Sequence, residues 1–405
     1  MKIGFLTGLF FSRHPGEPET ERIVCERMAK LGHEVVALTE FRHLARGAYA
    51  KLLTDPFEVY GFRARRFSLR RPLTWADKLV KPLIKVSRLA SHAAFVKRFL
   101  RDHPDLDVLH VMSTFHEGFV AALARRARPN LPLVVSMRDH NDVMATGIRG
   151  WMSGWTLRQA SLVRCGSQML EDRARARWGL EGKLHVIPIA FARDVRPLAG
   201  EDRERLRQMA RERILGPGRE QAVTVLIWVA RMVPDKGADQ LLDAVSFTEP
   251  SSREGLRVLL CGDGTERRRL EKRTKEMGLS GVVQFLGFVE YEQLPSYLAA
   301  ADIMVVSSLR DAGPMVAMEA AMAGTPVILT DGCGYADLFA QAEAGRVVPA
   351  GSSKELAEAI RSLLQDPERR ATLAAHAATL VRGMEPETVA RSLIHLFERA
   401  RQRHA

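Results

Sequence analysis

The chain has 405 residues, which is enough for two or three domains that each bury a hydrophobic core. Apolar residues make up 46% of the sequence and charged residues 27%, so a mainly disordered chain is excluded. The formal net charge is +12, and the four cysteines are widely spaced without a C-x-x-C pair. This spacing indicates neither a zinc site nor a disulfide framework and fits a reducing, cytoplasmic compartment.

The first predicted element is a buried strand over residues 2–6, followed by a loop that contains glycine. Its apolar run is broken by Gly4 and Gly8 and lacks a small-residue cleavage site, so it does not resemble a secretion signal. No other apolar run reaches the ~18 residues that a membrane-spanning helix needs. Any membrane contact is therefore expected to be peripheral.

Short runs rich in Val, Ile and Leu then alternate with helical patterns along the whole chain. This alternation predicts parallel sheets with helices on both faces. In the first half, further strands are predicted over residues 34–38, 108–112, 133–136, 162–165 and 184–187. In the second half, strands are predicted over residues 224–229, 257–261, 282–286, 303–306 and 327–330. The sequence therefore predicts an α/β protein with two doubly wound domains.

Between the two series lies a stretch with the chain breakers Pro188, Pro197 and Gly216. We accordingly predict an N-terminal domain over residues 1–195 and a second domain over residues 196–383. Beyond it, apolar residues follow at helical spacing on a single stripe. They predict a terminal helix within residues 384–405 that packs back toward the N-terminal domain.

Most of the net positive charge lies in residues 61–105, which hold 12 basic and three acidic residues. A helix predicted to begin at Pro82 places basic residues on one face and apolar residues on the other. Two interpretations stay open: a surface for an anionic membrane or an anionic acceptor, or an arginine-rich face that is only solvated. Nucleic acid is not expected as a partner, because aromatic residues are not interleaved with the basic ones.

The segment 307–328 carries the strongest functional signal. It follows a predicted strand, begins a helix near Pro314 and ends it at Gly324. The start of this helix is predicted to bind a phosphate, because free backbone N–H groups and the positive end of the helix dipole favour an anion. The residues at this start are Gly313, Pro314, Met315 and Val316.

Two carboxylates belong to the same segment: Asp311 before the helix and Glu319 within it. A carboxylate on a helix of Ala and Met is costly to bury unless it accepts hydrogen bonds, for example from ribose hydroxyls. The pattern resembles the E-x7-E region of the retaining GT-B glycosyltransferases of family four, also called group 1. The resemblance implies that Glu319 binds the donor ribose and that Asp311, one methylene shorter than the usual Glu, orients the donor sugar.

Three further segments resemble the donor domain of that family. Residues 228–237 are similar to its G-R-L-x-x-x-K-G segment, which implies that Arg231 and Lys236 neutralise the donor diphosphate. Gly262 belongs to a strand that ends in G-x-G, and Phe288 to an L-G-x-V segment near the base. These segments follow one another in the family's order and spacing, with Ala230 in place of the usual glycine.

The N-terminal half resembles the family less closely. Arg138 occupies the position of His in the family's T-x-H-D segment and is implied to lie near the transferred sugar. The family's Gly-Gly before the first helix is absent, which leaves Gly8 and Gly16 as the glycines that could let the backbone approach a phosphate. Gly16 is therefore a candidate donor-binding residue.

The resemblance implies a GT-B fold, with two Rossmann-like domains that face each other across a cleft. It also implies an enzyme that moves a sugar, with retention, from a nucleoside diphosphate sugar to a hydroxyl acceptor that is a small molecule or lipid-linked. No metal or other cofactor is expected, since two cations and a helix start can stabilise the leaving phosphate. The expected location is the cytoplasm, including the inner face of the membrane.

One alternative stays open beside this function. Asp311 in place of Glu, Ala230 in place of Gly, and the absence of the family's N-G linker after Pro188 are departures from the pattern. A chain with these departures could also be a catalytically inactive, glycosyltransferase-like partner or regulatory protein. Turnover of a nucleotide sugar would separate the two functions.

Overall fold

A computed structural model describes residues 1–7, 17–40, 49–53, 55–63, 77–138, 140–191, 200–216, 223–248 and 255–404. The chain divides into two compact units. The first consists of Met1–Arg193 with Glu385–Ala405, and the second of Asp194–Met384. For comparison, the sequence analysis places the domain boundaries after residues 195 and 383.

The first unit is built on one sheet. Its strands are β1 (Lys2–Thr7), β2 (Glu34–Glu40), β3 (Tyr49–Leu53), β4 (Glu58–Phe62), β5 (Val108–Val111), β6 (Leu133–Met137), β7 (Leu162–Cys165) and β8 (Leu184–Val186). They lie in the order β3-β4-β2-β1-β5-β6-β7-β8, and every pair is parallel except β3 with β4. The order reverses between β1 and β5, which is where doubly wound sheets bind ligands.

Helices connect the strands of this unit. They are α1 (Glu17–Lys30), α2 (Asp77–Asp102), α3 (His116–Arg125), α4 (His140–Met144), α5 (Gly147–Gln159) and α6 (Gln168–Trp178). The prediction that α2 begins at Pro82 is wrong, because the helix begins at Asp77. An acid at the first position of a helix is favoured by the helix dipole, which suits a start at Asp77.

The second unit is an all-parallel sheet. Its strands are β9 (Thr224–Val229), β10 (Leu256–Cys261), β11 (Val283–Gly287), β12 (Ile303–Val306), β13 (Val327–Thr330) and β14 (Gly345–Val348). They lie in the order β11-β10-β9-β12-β13-β14. The order in which strands are added to the sheet reverses between β9 and β12, so the loops after these two strands meet at the switch point of the sheet.

The helices of the second unit begin with α7 (Gly200–Leu215), and a short 3-10 turn, Pro234–Lys236, precedes α8. The others are α8 (Ala238–Ser246), α9 (Arg267–Glu276), α10 (Leu294–Ala300), α11 (Met315–Met322), α12 (Ala336–Gln341), α13 (Ser353–Gln365) and α14 (Pro367–Arg382). Helix α11 begins one residue after Pro314, whose backbone is extended with ψ 96°. Gly324 follows its last turn with φ +74°, a conformation that glycine adopts without strain.

The C-terminal helix α15 (Pro386–Gln402) belongs to the first unit and packs against α1. Leu393 and Phe397 of α15 are buried in the same hydrophobic core as Phe5 of β1 and Met28 of α1. The apolar stripe seen in the sequence is therefore the face that covers this sheet.

His110 of β5 is fully buried in this core. Its Nε2 lies 2.8 Å from Ser136 Oγ, and its ring packs against Phe5 and Phe397 with centroid distances of 4.7 and 5.1 Å. Burial lowers the pKa of His110 well below its ordinary value of 6.5, and the nearby Arg164 guanidinium lowers it further. The folded unit therefore holds this imidazole neutral.

This burial predicts a loss of stability in acid. The unfolded chain takes up the His110 proton as the pH falls below 6.5, whereas the folded chain does not, so the free energy of unfolding decreases by up to about 1.4 kcal/mol per pH unit. Urea titrations of the full chain between about pH 7.5 and pH 5.5, followed by the unfolding of its first unit, measure this free energy. Its slope against pH should be shallower for His110→Phe than for the wild type. His395→Phe, at an exposed position, is the matched control. Equal slopes for wild type and His110→Phe would contradict the assignment.

Candidate functional site

A cavity of about 230 Å³ lies at the carboxyl ends of β9 and β12, the switch point of the second sheet. Seven residues predicted from the sequence line it together. They are Arg231, Lys236, Asp311, Gly313, Pro314, Met315 and Val316. The loop after β9 supplies the two cations, and the loop after β12 supplies Asp311 and the start of α11. The cavity therefore combines positive side chains with backbone N–H groups at a helix start, which suits an anion.

Lys236 and Asp311 form an ion pair at the wall of this cavity. Lys236 Nζ lies 2.5 Å from Asp311 Oδ2, and both side chains are largely buried. The Gly313 amide donates to Asp311 Oδ1 at 3.3 Å, and the Asp311 amide donates to the Gly332 carbonyl at 3.0 Å. Asp311 is thus fixed at both its main chain and its side chain, and it holds the Lys236 ammonium at the cavity.

The second cation of this cavity, Arg231, differs from Lys236 in its exposure and in its partners. It directly follows Ala230, and it is exposed, whereas Lys236 is largely buried. Among the residues that the structure describes, Arg231 takes part in no ion pair. Its guanidinium can therefore bind an anion without first breaking a contact with a carboxylate.

Two glycines let the loops of the cavity approach each other backbone to backbone. Gly262 has φ +133°, and an added Cβ would collide with the Ala230 carbonyl. Gly237 has φ +66°, and an added Cβ would collide with the Ser307 carbonyl. Ser307 Oγ also donates to the Gly237 carbonyl at 2.7 Å. The predicted residue Gly262 is therefore placed beside the cavity, where it permits the packing of the loop that carries Arg231.

Glu319, Gly262 and Phe288 are not among the described residues that line this cavity. Glu319 lies one turn after Met315 in α11 and is half-buried. Phe288 follows the end of β11 and is 67% exposed, so its ring is available to a ligand. Gly16, like Gly8, lies outside the described residues.

Arg138 belongs to the first unit, where it follows β6. Its guanidinium contacts the Glu21 carboxylate, which also accepts a hydrogen bond from Thr7 Oγ1 at 2.7 Å. The Arg138 amide donates to Asp142 Oδ2 at 3.1 Å, and Thr114 Oγ1 donates to Asp142 Oδ1 at 2.6 Å. Arg138 is therefore part of a polar cluster at the carboxyl ends of β1, β5 and β6.

Sequence reasoning did not identify several members of these two sites. Trp228 and Ser308 line the cavity in the second unit, and Glu21 holds Arg138 in the first. For Trp228 and Ser308 the available signal was their place next to the carboxyl ends of β9 and β12. A buried arginine such as Arg138 needs an acidic partner. Glu21 lies 117 residues from Arg138 in the sequence, however, so the sequence did not indicate that Glu21 is this partner.

The described residues contain no group of three or more His, Cys, Asp or Glu side chains arranged to hold a metal ion. Nor does any described helix have the length and apolar character needed to cross a membrane.

Comparison with protein families finds two matches. The family described as "Glycosyl transferases group 1" matches residues 202–379, and the family described as "Glycosyl transferase 4-like domain" matches residues 22–190. Together the two matches cover most of both compact units. The first of them includes Arg231, Lys236 and Asp311.

Among curated proteins, the chain is similar to alpha-D-kanosaminyltransferase of Streptomyces kanamyceticus. The two are 27% identical over 261 residues, which are 62% of this chain and 66% of that protein. The chain spans between about two fifths and two thirds of the length of the first curated relatives that it matches.

Two solved structures share the fold over nearly the whole chain. Sucrose-phosphate synthase from Thermosynechococcus elongatus has a TM-score of 0.73 and 21% identity, covering 98% of both chains. The Anabaena HepE protein, solved in complex with UDP, has a TM-score of 0.70 and 21% identity, covering 98% of this chain and all of that one. These likenesses confirm the predicted fold with two doubly wound α/β units.

Proposed function

We propose that this chain, which belongs to the glycosyl transferases group 1 family, transfers a sugar from a nucleoside diphosphate donor to a hydroxyl acceptor. Its membership confirms the resemblance that residues 228–237 and 307–328 indicated. The fold is accordingly GT-B. The residues that act in the reaction are proposed from the geometry of the two units.

The cavity beside Lys236 is the observation that carries this proposal. A diphosphate leaving group needs fixed positive charge, and the cavity offers Arg231, Lys236 and the amino end of α11. Donors that are already in place stabilise developing negative charge without reorganisation. The structurally similar HepE protein was solved with UDP, which supports a nucleoside diphosphate as the group that this cavity binds.

The proposed reaction is retaining and needs no metal ion. The acceptor hydroxyl attacks the anomeric carbon from the face that the diphosphate leaves, and the departing phosphate oxygen takes the hydroxyl proton. Arg231 and Lys236 stabilise the charge on that phosphate, Asp311 orients the donor sugar and Glu319 binds the ribose. Gly262 supports the loop of Arg231, and Phe288 is proposed to contact the base.

On the acceptor side, we propose a role for Arg138 and its polar cluster, which lie in the first unit. The Glu21 carboxylate and the Asp142 carboxylate fix the side chain and the main chain of Arg138, respectively. A fixed guanidinium is suited to hydrogen bonding with sugar or acceptor oxygens. The acceptor class stays broad: a hydroxyl of a small molecule or of a lipid-linked compound.

A cytoplasmic location and membrane contact through residues 61–105 also remain proposals. In the described part of this segment, Lys97 and Arg101 of α2 are exposed, and the Arg98 guanidinium lies 4.5 Å from the Tyr49 ring centroid. Exposed cations of this kind attract anionic lipid headgroups by about 1 kcal/mol each near a surface.

Thermal denaturation with nucleoside diphosphates tests the donor site. A ligand that binds only the folded chain raises the melting temperature, and at one hundred times Kd the gain is about 2.7 kcal/mol. We expect UDP to raise the melting temperature of the wild type, and Arg231→Gln to reduce this shift. Arg361→Gln, at an exposed position of α13, is the matched control.

Three outcomes would decide against parts of this proposal. If UDP, GDP and ADP all leave the melting temperature unchanged, the cavity is not a nucleotide site. If a nucleotide binds but no nucleotide sugar is turned over with any hydroxyl acceptor, the inactive partner protein becomes the better account. Equal shifts in Arg231→Gln and Arg361→Gln would remove the assigned role of Arg231.

A further inference from the structure

Large apolar side chains are exposed together on α4 and α5 of the first unit. Ile148 is 78% exposed, Trp151 59% and Met144 47%. The other exposed large hydrophobic residues of the described chain, such as Met209 and Phe247, are far from one another in the sequence. Single exposed apolar residues are ordinary on protein surfaces, whereas a contiguous group marks an interaction site.

The inner face of α5 packs mainly through other side chains. Met152 and Leu157 are buried, and Ser153 Oγ lies 3.1 Å from Thr114 Oγ1. Gly118 of α3 lies so close to Thr156 Cγ2 that an added Cβ would be 2.9 Å from it. The buried part of the contact between α3 and α5 is therefore made by these smaller side chains, and most of the surface of Ile148 and Trp151 is left exposed.

Aromatic rings and arginines surround the exposed group. The Phe119 ring lies 6.1 Å from Trp151 and 5.0 Å from Trp155. The Arg126 guanidinium lies 5.3 Å from the Trp155 centroid, and the Arg149 guanidinium lies 5.3 Å from the Phe115 centroid. We call this set the α5 face; it consists of Met144, Ile148, Arg149, Trp151 and Trp155 with Phe115, Phe119 and Arg126.

The α5 face has little negative charge to oppose its arginines. The sequence contains no acidic residue between Asp142 and Glu171. Asp142 accepts hydrogen bonds from Thr114 and from the Arg138 amide. Glu117 is the acid of α3, and its carboxylate lies 3.9 Å from His116 Nδ1. The face is therefore apolar and cationic at once.

We propose that the α5 face inserts into the surface of an anionic lipid bilayer. Tryptophan favours the membrane interface, protruding apolar side chains enter the headgroup and acyl boundary, and arginines attract anionic headgroups. Helix α2 packs against α3, so its exposed Lys97 and Arg101 add positive charge to the same layer of helices. A protein partner fits less well, because a standard protein interface needs about 20–30 residues on each side.

This inference does not rest on the proposed sugar transfer, because all of the α5 face lies in the first unit and the donor cavity in the second. The test is sedimentation of the full chain with vesicles of phosphatidylcholine and phosphatidylglycerol, compared with phosphatidylcholine alone. We expect binding to the anionic vesicles, weakened by salt. The double variant Ile148→Ser/Trp151→Ser should bind them at least about tenfold more weakly. The double variant Met209→Ser/Phe247→Ser, at exposed apolar positions of the second unit, is the matched control.

Trp151→Phe separates insertion from mere electrostatic contact. The variant keeps an apolar ring, so it should still bind, but brominated lipids should quench its tryptophan fluorescence less than that of the wild type. Failure of the wild type to bind anionic vesicles would overturn the inference. So would equal binding by the Ile148→Ser/Trp151→Ser variant, and so would quenching that is unchanged by Trp151→Phe. An unaltered melting temperature of each variant, and an unaltered shift by UDP, shows that the fold and the donor site are intact.

Discussion

Lys236→Ala should lower kcat/KM for sugar transfer by about 100- to 1000-fold, the range found when one fixed donor to a developing anion is removed. The Lys236 ammonium lies at the wall of the donor cavity, where it is largely buried and 2.5 Å from Asp311 Oδ2. Its removal takes away a positive charge and also leaves the Asp311 carboxylate facing the diphosphate. Steady-state kinetics with a nucleotide sugar donor measure the loss.

A double variant distinguishes these two effects. If the unpaired carboxylate contributes to the loss, Lys236→Ala/Asp311→Asn should bind the nucleoside diphosphate more tightly than Lys236→Ala alone. The non-additivity expected for two groups in direct contact is about 0.5–3 kcal/mol. Equal affinities of the single and double variants would mean that Asp311 does not face the phosphate.

Lys272→Ala is the matched control for Lys236→Ala. Lys272 lies on α9 with a side chain that is 78% exposed, and its partner is Glu276 at 3.6 Å. An exposed pair of this kind contributes little to stability, and Lys272 does not line the cavity. Wild-type kinetics in both lysine variants would rule out the proposed role of Lys236.

The strands that the sequence predicted and those that it missed differ in chemistry. The predicted strands are continuous apolar runs, such as β9 and β13, because a parallel sheet covered on both faces buries every side chain. Three strands were missed: β3 and β14 are short and lie at sheet edges, and β4 lies between β3 and β2 with the polar residue Glu58 at its start; β3 includes the exposed Lys51. Edge strands need no continuous apolar run, so their sequences resemble loops.

The candidate site shows a similar division. Local patterns predicted the start of α11, because a strand, a loop and a helix follow one another within a few residues. The two cations were indicated by the resemblance to the family's donor domain. The contact of Lys236 with Asp311 joins residues 75 positions apart, and that of Arg138 with Glu21 joins residues 117 apart. Such pairs are set by the order of strands in the sheet, which the sequence of one chain does not display.

Asp302→Ala is the substitution from which we expect the largest loss of stability in the second unit. Asp302 precedes β12, and its largely buried carboxylate lies 2.5 Å from Arg207 Nη2 and 3.0 Å from Arg211 Nη1. The Val225 amide donates to the same carboxylate at 2.7 Å. Removing one partner of a buried ion pair costs about 3–5 kcal/mol, and here two guanidiniums of α7 lose their acid.

The pH dependence of this loss gives a second measurement. Burial alone would raise the pKa of Asp302, but Arg207, the Val225 amide and Arg211 outweigh burial and hold the pKa below its ordinary value of 3.8. A carboxyl with a lowered pKa stabilises the fold above the unfolded pKa and loses that contribution as the pH falls through the folded one. The difference between wild type and Asp302→Ala should therefore be full at neutral pH and shrink below about pH 3.8.

The matched control for Asp302→Ala is Glu276→Ala, which breaks an exposed pair with Lys272 in the same unit. An exposed pair of this kind contributes about 0–1 kcal/mol, so that substitution should be nearly neutral. Hydrogen exchange of the β9 amides in urea reports the unfolding of the second unit by itself. Protection of β9 in Asp302→Ala equal to that of the wild type would show that α7 is held by its apolar contacts with α10 rather than by this carboxylate. Faster exchange only in Asp302→Ala would establish that one buried acid fixes α7 to the sheet that carries the donor cavity.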